Sequence, residues 1–267
     1  MNLPKRHYVD GPFGQVHFQD TGEGKPLVLL HQAPMSSRQF DSVYELLHER
    51  GVRAIGIDIP GFGLSDATDF VPRVEDYAHV VPSVLDHLSV NSAFILGHHT
   101  GALVATEVAL QFKERVTALI LNGPVPLTEK EKQVGLNYVE TFEKTFAAQP
   151  DGKHLLTLFQ NRMQAGNKDT NWSLTNRYIA EHFIGYGPFW YGHHAAFQYD
   201  HAATIPLIKH PTLILTNTGD SIYQNAKQTL KMRPDFKYAE IEGGSWDIVD
   251  ERPQEWVNAV AKFVAPI

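Results

Sequence analysis

Residues 95–105 read ILGHHTGALVA, and this stretch decides the fold. An apolar run ends at Leu96, glycines follow at Gly97 and Gly101, and apolar residues with helical spacing come next. Glycine lets two backbone segments approach closely where any side chain would intervene. The pattern therefore predicts a sharp turn from a strand into a helix, with the central residue, His99, exposed above the end of the strand.

Short apolar runs of the kind found in buried strands lie on both sides of this turn, and helical spacings separate them. We predict strands over residues 16–18, 26–30, 52–57, 93–96, 116–121, 211–216 and 238–241. Strands that alternate with helices favour a parallel sheet with helices on both faces. The sequence thus predicts an α/β fold built on a mostly parallel central sheet.

The alternation stops near residue 125 and resumes near residue 206. Between them, segments with helical spacing are broken by Gly, Pro, Asn and Asp, and no strand pattern occurs in the sequence of residues 128–200. We predict a core formed by residues 1–125 and 206–267, with a helical cap over residues 126–205.

Composition narrows the classes of function. The net charge of −7 and the lack of a basic run argue against a nucleic-acid partner. The chain has no cysteine, which excludes disulfides and thiol catalysis. No signal peptide or apolar stretch long enough to span a membrane is evident. We expect a cytoplasmic protein with a small-molecule substrate and no membrane partner; association into a homo-oligomer stays open.

Four motifs in order resemble those of the α/β-hydrolase superfamily, over essentially the whole chain. They are an oxyanion-type loop at residues 29–34, an Asp-x-Pro-Gly-x-Gly-x-Ser motif at 58–65, the Gly97–Gly101 turn, and a turn ending in Asp220. The resemblance implies an α/β-hydrolase fold with a cap after strand six. It identifies the Gly97–Gly101 turn as the nucleophile elbow, normally G-x-S-x-G, followed in chain order by an acid and a histidine.

Two of the three catalytic positions differ from that pattern. His99 occupies the position of the serine, whereas Asp220 matches the acid. Trp246 stands where the resemblance implies a histidine, and no histidine follows His210. Histidine thus replaces the serine while tryptophan replaces the histidine, which leads us to expect a His99–Asp220 dyad. In this dyad the carboxylate of Asp220 binds one ring nitrogen of His99, and the second ring nitrogen serves as base or nucleophile. An inherited turn without chemistry is the alternative.

The resemblance also implies an oxyanion hole made by the backbone amides of Ala33 and Thr100, with no cofactor and no metal. We expect a hydrolase that acts on an ester, lactone or activated carbonyl. A base above an oxyanion site equally suits a cofactor-free lyase or isomerase, and a capped pocket suits an inactive ligand-binding homologue. The loop serines Ser36, Ser37, Ser221 and Ser245 are weaker candidates for the nucleophile, because serine is common in turns.

The last third of the predicted cap is rich in aromatic residues, which suggests an apolar or aromatic small molecule as substrate. The residues that we expect to bind it are Gln32, His98, Trp190, His194, Tyr199 and Trp246.

Overall fold

A twisted sheet forms the centre of the computed structural model, which describes residues 4–165 and 171–267. Its strands are β1 (Lys5–Gly11), β2 (Gly14–Asp20), β3 (Lys25–Leu30), β4 (Val52–Ile57), β5 (Ala93–His98), β6 (Val116–Asn122), β7 (Thr212–Asn217) and β8 (Lys237–Ile241). They lie in the order β1-β2-β4-β3-β5-β6-β7-β8. The strands from β3 to β8 run parallel, whereas β2 pairs antiparallel with both β1 and β4. The predicted mostly parallel sheet is confirmed.

Helices connect the strands and cover both faces of the sheet. They are α1 (Tyr44–Glu49), α2 (Val74–Tyr77), α3 (Val80–His87), α4 (Thr100–Gln111), α5 (Glu129–Tyr138), α6 (Lys153–Ala165), α7 (Trp172–Ile184), α8 (Trp190–Gln198), α9 (His201–Thr204), α10 (Tyr223–Met232), α11 (Ile248–Glu251) and α12 (Pro253–Val264). A 3-10 turn over Ser37–Phe40 precedes α1, and a π-helical turn over Val139–Glu143 follows α5.

Strand β3 shows why the apolar runs lack a polar face. Val28 and Leu30 pack into the cluster that holds α3 and α4, whereas Leu27 and Leu29 pack into the cluster that holds α1 and α12. All four side chains are fully buried. Because alternate side chains of a strand point to opposite faces, a strand covered on both faces must be apolar throughout.

Helices α5 to α9 form an insertion between β6 and β7, which we call the helical insertion. It occupies the region of the predicted cap, and the domain boundaries at residues 125 and 205 stay a prediction. Its first helix, α5, continues directly into the π-helical turn at Val139. Strand β1 was missed, since it lies at the sheet edge and is largely exposed.

Among the residues described, we find no helix that combines the length and the apolar character needed to cross a membrane.

Candidate active site

The turn between β5 and α4 has the predicted geometry. His99 adopts φ 49° and ψ −110°, a left-handed conformation that side chains rarely adopt. A Cβ on Gly97 would lie 1.9 Å from the carbonyl oxygen of Gly101, and one on Gly101 would lie 2.1 Å from that of Leu30. Both glycines are therefore required by close backbone contacts, and together they hold His99 at the amino end of α4.

The two residues predicted to form a dyad lie within hydrogen-bond distance. His99 Nε2 is 2.7 Å from Asp220 Oδ2, although the residues are 121 positions apart in the chain. Parallel strands bring them together, because β5 and β7 both end at the same edge of the sheet and only β6 lies between them. The carboxylate of Asp220 is fully buried, whereas the ring of His99 is 15% exposed.

The environment keeps Asp220 ionised. Burial alone would raise its pKa, but the charge of His99, the hydrogen bond to its ring and a backbone N–H from Ile222 together lower the pKa to about 2. An ionised carboxylate only accepts hydrogen bonds, so His99 Nε2 must carry the donated proton. Nδ1 makes no hydrogen bond among the described residues, which leaves its lone pair available on the neutral ring.

The backbone amides of Ala33 and Thr100 lie where the sequence places them, after β3 and at the first position of α4. Neither amide donates a hydrogen bond within the part of the chain that the structure describes. Gln32 is buried beside them, and its own amide donates to Gln39 Oε1 at 2.9 Å. Thus Gln32 helps to anchor the loop through its backbone.

His98 lies behind this site and not at its surface, so its expected contact with substrate is wrong. The ring is fully buried at the end of β5, and Gln39 Nε2 donates to its Nδ1. The proton of the neutral ring is therefore on Nε2, for which no partner is found among the described residues. Burial, then the neighbouring charge of His99, holds the pKa of His98 well below its usual value.

One ligand atom from each of His98, His99 and Asp220 lies within 4.8 Å of the others, which raises the question of a metal ion. The hydrogen bonds of His98 argue against a metal ion at this place. Because Gln39 fixes the proton of His98 on Nε2, that nitrogen has no lone pair for a metal. His31, the other histidine at this edge, is also engaged, with Nδ1 bonded to the Gln32 carbonyl and Nε2 to the amide of Ile59.

A cavity of about 610 Å³ opens above the turn, between the sheet edge and the helical insertion. Of the predicted residues, it is lined by Gln32, Ala33, His99, Thr100 and Trp246. Trp246 forms part of the wall, at the position where the resemblance implied a histidine. The apolar lining also includes Met35, Val125, Leu158, Ile179, Phe197 and Ile222.

Three predicted substrate-binding residues, Trp190, His194 and Tyr199, are absent from the described lining of this cavity. Trp190 and His194 are four residues apart on α8, and their rings contact each other. The hydroxyl of Tyr199 donates to Glu107 on α4 at 2.6 Å. Their expected place in the cavity was therefore wrong; for His194 the reason is that the helix turns its neighbour His193 toward the cavity instead.

Sequence reasoning missed a group of polar residues on the insertion side of the cavity. They are Tyr138, Glu143, Asn161, Arg162, His182 and His193. Helical spacing could have found one of them, since His193 lies on one face of α8 with Ala196 and Phe197, three and four positions later. The others come from α5, α6, α7 and the π-helical turn, and their convergence is a tertiary property.

Arg162 is the most strongly held of these groups. Its guanidinium stacks 4.2 Å from the ring centre of Tyr178 and 5.1 Å from that of Trp246, and it pairs with Asp247. Asp247 follows Trp246 in the segment after β8. This arrangement places a positive charge at the cavity wall beside the tryptophan.

Three of the four loop serines have structural partners. Ser36 caps the 3-10 turn, Ser37 Oγ accepts from Gln19, and Ser245 bonds to Glu251. None of the four candidate serines belongs to the cavity lining among the residues described. Among the described residues, the elbow thus presents His99 to the cavity, with Asp220 bonded to its ring.

The whole-chain pattern has a match among known families. The sequence profile described as alpha/beta hydrolase fold matches residues 25–251. The chain belongs to this family. As a member of it, the chain is also similar in fold to epoxide hydrolase A from Mycobacterium thermoresistibile, with a TM-score of 0.79, 19% identity and coverage of 98% of both chains. At that identity the likeness shows the fold alone.

Two curated relatives align over shorter stretches. Haloalkane dehalogenase 2 of Mycobacterium bovis is 29% identical over 117 residues, which are 43% of this chain and 41% of the relative. The 2-hydroxy-6-oxononadienedioate/2-hydroxy-6-oxononatrienedioate hydrolase of Paraburkholderia phymatum is 36% identical over 114 residues, 41% of this chain and 40% of the relative. The chain thus matches about two fifths of the length of these relatives.

Proposed function

We propose that this protein is a hydrolase that cleaves an ester, lactone or other activated carbonyl compound with the His99–Asp220 pair. The observation that carries the proposal is the 2.7 Å contact between His99 Nε2 and Asp220 Oδ2, made by a residue at the elbow and bordering the cavity. A histidine oriented by a buried carboxylate is the recurring base of acyl-transfer enzymes.

The proposed reaction starts with a water molecule beside Nδ1 of His99. Nδ1 takes a proton from the water as the oxygen attacks the carbonyl carbon, and the carbonyl bond becomes a negatively charged oxygen. The backbone amides of Ala33 and Thr100 donate hydrogen bonds to that oxygen, each stabilising the charge by about 3 kcal/mol. The intermediate then expels the leaving oxygen, which receives the proton from Nδ1, so one ester and one water give one acid and one alcohol.

Asp220 has two roles in this scheme. Its hydrogen bond holds the ring with the proton on Nε2, which exposes the lone pair of Nδ1 to the substrate. Its negative charge stabilises the imidazolium that forms when Nδ1 accepts a proton. Because the pKa of Asp220 is about 2, the carboxylate stays charged over the whole range in which an imidazole can act as base.

The cavity wall supports a substrate with one apolar part and one polar part. The volume of about 610 Å³ suits a small molecule, and the apolar lining supports the aromatic or aliphatic portion. Arg162 adds a guanidinium, a group that pairs well with a carboxylate. The relative whose name specifies a dioate makes a carboxylate-bearing substrate a reasonable extension of the proposal.

The test is hydrolysis of a panel of activated esters and lactones by the wild type, His99→Ala and Asp220→Asn. The panel includes p-nitrophenyl butyrate and the half-ester mono-p-nitrophenyl succinate, which differ mainly in a terminal carboxylate. We expect both variants to lose at least about a hundredfold in kcat, the usual contribution of a general base. We expect the succinate half-ester to be preferred, and Arg162→Met to abolish that preference.

A matched control separates this chemistry from background hydrolysis by surface imidazoles. His210→Gln removes a histidine that lies outside the site and bonds to the carbonyl of Lys113, and it should hydrolyse the panel like the wild type. Full activity in His99→Ala would contradict the proposal. Loss of a substrate proton without incorporation of oxygen from H₂¹⁸O would replace hydrolysis by a lyase or isomerase reaction.

A further inference from the structure

A second histidine–carboxylate pair borders the same cavity from the helical insertion. His193 Nδ1 on α8 lies 2.6 Å from Glu143 Oε1, at the end of the π-helical turn. The carboxylate side chain is only 4% exposed and the imidazole ring 29%. Both residues line the cavity, yet the proposed hydrolysis uses neither of them.

Helix α8 packs directly onto the loop that carries the Ala33 amide. A Cβ on Gly192 would lie 2.3 Å from the Cβ of Ala33, so only glycine permits this approach. The next residue on α8 is His193, and both His193 and Ala33 line the cavity. The histidine–carboxylate pair therefore lies next to the point where α8 packs on the loop that supplies one of the two proposed oxyanion donors.

The surroundings favour the charged form of His193. Burial by itself would lower the pKa of His193, but the charge of Glu143 and the hydrogen bond to it raise that pKa above its usual value. Glu143 Oε2 has no partner among the described residues, so His193 is the cation that compensates this buried carboxylate.

The other titratable and charged groups at the cavity come from each neighbouring element. They are His99 at the elbow, Tyr138 on α5, Arg162 on α6 and His182 on α7. Burial lowers the pKa of His182 to about 4, so it is neutral where His193 is charged. Arg162 stands at another part of the wall, over the ring of Trp246 and paired with Asp247. His193 is therefore the cation that rests against the oxyanion loop.

We propose that Glu143 and His193 are positioning residues that hold a positive charge against the Ala33 loop and so favour negative charge at the oxyanion site. This inference rests on the proposed function of the same site. A nearby cation in a partly buried site attracts a developing oxyanion more strongly than it would in water. Because deprotonation removes that cation, activity is expected to fall as the pH rises through the pKa of His193.

The first measurement is independent of catalysis. A ¹³C-histidine NMR titration is recorded for the wild type, and the signal of His193 is assigned by its loss in His193→Gln. We expect the signal to titrate above the range of an unperturbed histidine. In Glu143→Gln, which keeps the shape and removes the charge, its midpoint should move down. A normal midpoint in the wild type, or one unmoved in Glu143→Gln, would overturn the proposal.

The second measurement uses phenylacetate, whose carboxylate imitates the negative charge at the oxyanion site, and calorimetry at neutral pH. We expect Glu143→Gln to bind it roughly tenfold more weakly, as when one charge-assisted contact is lost. Removal of an acidic side chain alone would strengthen binding of an anion, so a tighter or unchanged complex contradicts the proposal. Glu140→Gln, an exposed carboxylate on the same turn paired with Lys144, should bind like the wild type.

Turnover of the best ester then tests the consequence for the reaction. In Glu143→Gln, kcat should fall roughly tenfold. The alkaline limb of the plot of kcat against pH should move to lower pH, while Glu140→Gln keeps the wild-type plot. An alkaline limb that stays in place would refute the coupling. Absence of turnover in the wild type would instead refute the proposed function, and the NMR and phenylacetate results would still decide the charge and its contact with the site.

Discussion

At the scale of single residues, backbone contacts and not side-chain chemistry determine the turn that holds His99. The amide of His99 donates to the carbonyl of Asn122 on β6 at 2.9 Å, and the side chain of Asn122 accepts from Trp256 Nε1 at 2.6 Å. A buried chain of contacts thus connects helix α12 to the elbow. It explains why a residue in a disfavoured conformation stays in one orientation.

Gly97→Ala tests this account. A Cβ here would meet the backbone of Gly101, which cannot move away as a flexible side chain could. We expect a loss of about 2–4 kcal/mol in the free energy of unfolding, comparable to severe overpacking in a core. Urea unfolding followed by circular dichroism measures it.

Gly11→Ala is the comparison for that variant. A Cβ on Gly11 would also lie close to a neighbour, but the neighbour is a methyl group of Val16 at the sheet edge. It should lose clearly less stability than Gly97→Ala. Equal stability of Gly97→Ala and the wild type would show that the close approach of the two glycines is unnecessary.

At the scale of elements, charged contacts join the helical insertion to the segment after β8. Arg177 and Tyr178 on α7 both bond to Asp250 on α11, and Arg162 on α6 bonds to Asp247 just before it. Tyr178 is almost fully buried. These contacts join α6 and α7 to the segment that begins just after Trp246.

Asp250→Asn removes the negative charge of the carboxylate to which both Arg177 and Tyr178 bond. A partly buried guanidinium then loses its counter-ion, which we expect to cost at least about 2 kcal/mol. Hydrogen exchange should rise in α6 and α7 before it rises in the central strands, because the contacts hold the insertion and not the sheet.

The matched variant is Asp151→Asn, which breaks an exposed pair with Lys153 on the same insertion. It should leave exchange in α6 and α7 unchanged, since exposed ion pairs contribute little. If both variants exchanged alike, the insertion would be held by apolar packing alone.

At the scale of the whole molecule, several of the 14 histidines are buried in the neutral state. His201 is an example: its Nδ1 accepts from the amide of Val125, and its Nε2 lies 3.0 Å from the hydroxyl of Thr106. Burial lowers the pKa of His201 to about 3. Burial also lowers the pKa of His31 and His98.

These histidines predict a loss of stability in mild acid. The folded protein keeps them neutral, whereas the unfolded chain protonates them below a pKa of about 6.5. Their contribution to stability is complete above that pH and is lost as the pH falls toward the folded value. At pH 5, His201 alone should account for about 2 kcal/mol of lost stability relative to pH 7.

The measurement compares urea unfolding of the wild type and His201→Asn at pH 7 and pH 5. The variant starts from a lower stability, because its buried hydrogen bonds differ, but its loss between the two pH values should be smaller by about 2 kcal/mol. An equal loss in both proteins would mean that His201 does not contribute to the acid sensitivity.

Predictions from the sequence succeeded where local pattern and chain topology were sufficient. The position of His99 at a strand-to-helix turn follows from two glycines, and its contact with Asp220 follows from the parallel order of β5 and β7. The prediction of which α8 residues line the cavity failed for a physical reason. His193 and His194 are adjacent in sequence, but on a helix they face directions about 100° apart, and only His193 borders the cavity.

The sequence by itself determined the family fold and the two residues of the proposed dyad, because strand periodicity, glycine turns and parallel topology bring these positions to one sheet edge. The tertiary structure alone decided that His98 is buried, that Trp246 forms a wall, and that Glu143, Arg162 and His193 meet at the cavity. The physical reason is that each of these outcomes depends on packing between elements far apart in the chain, which no local sequence pattern encodes.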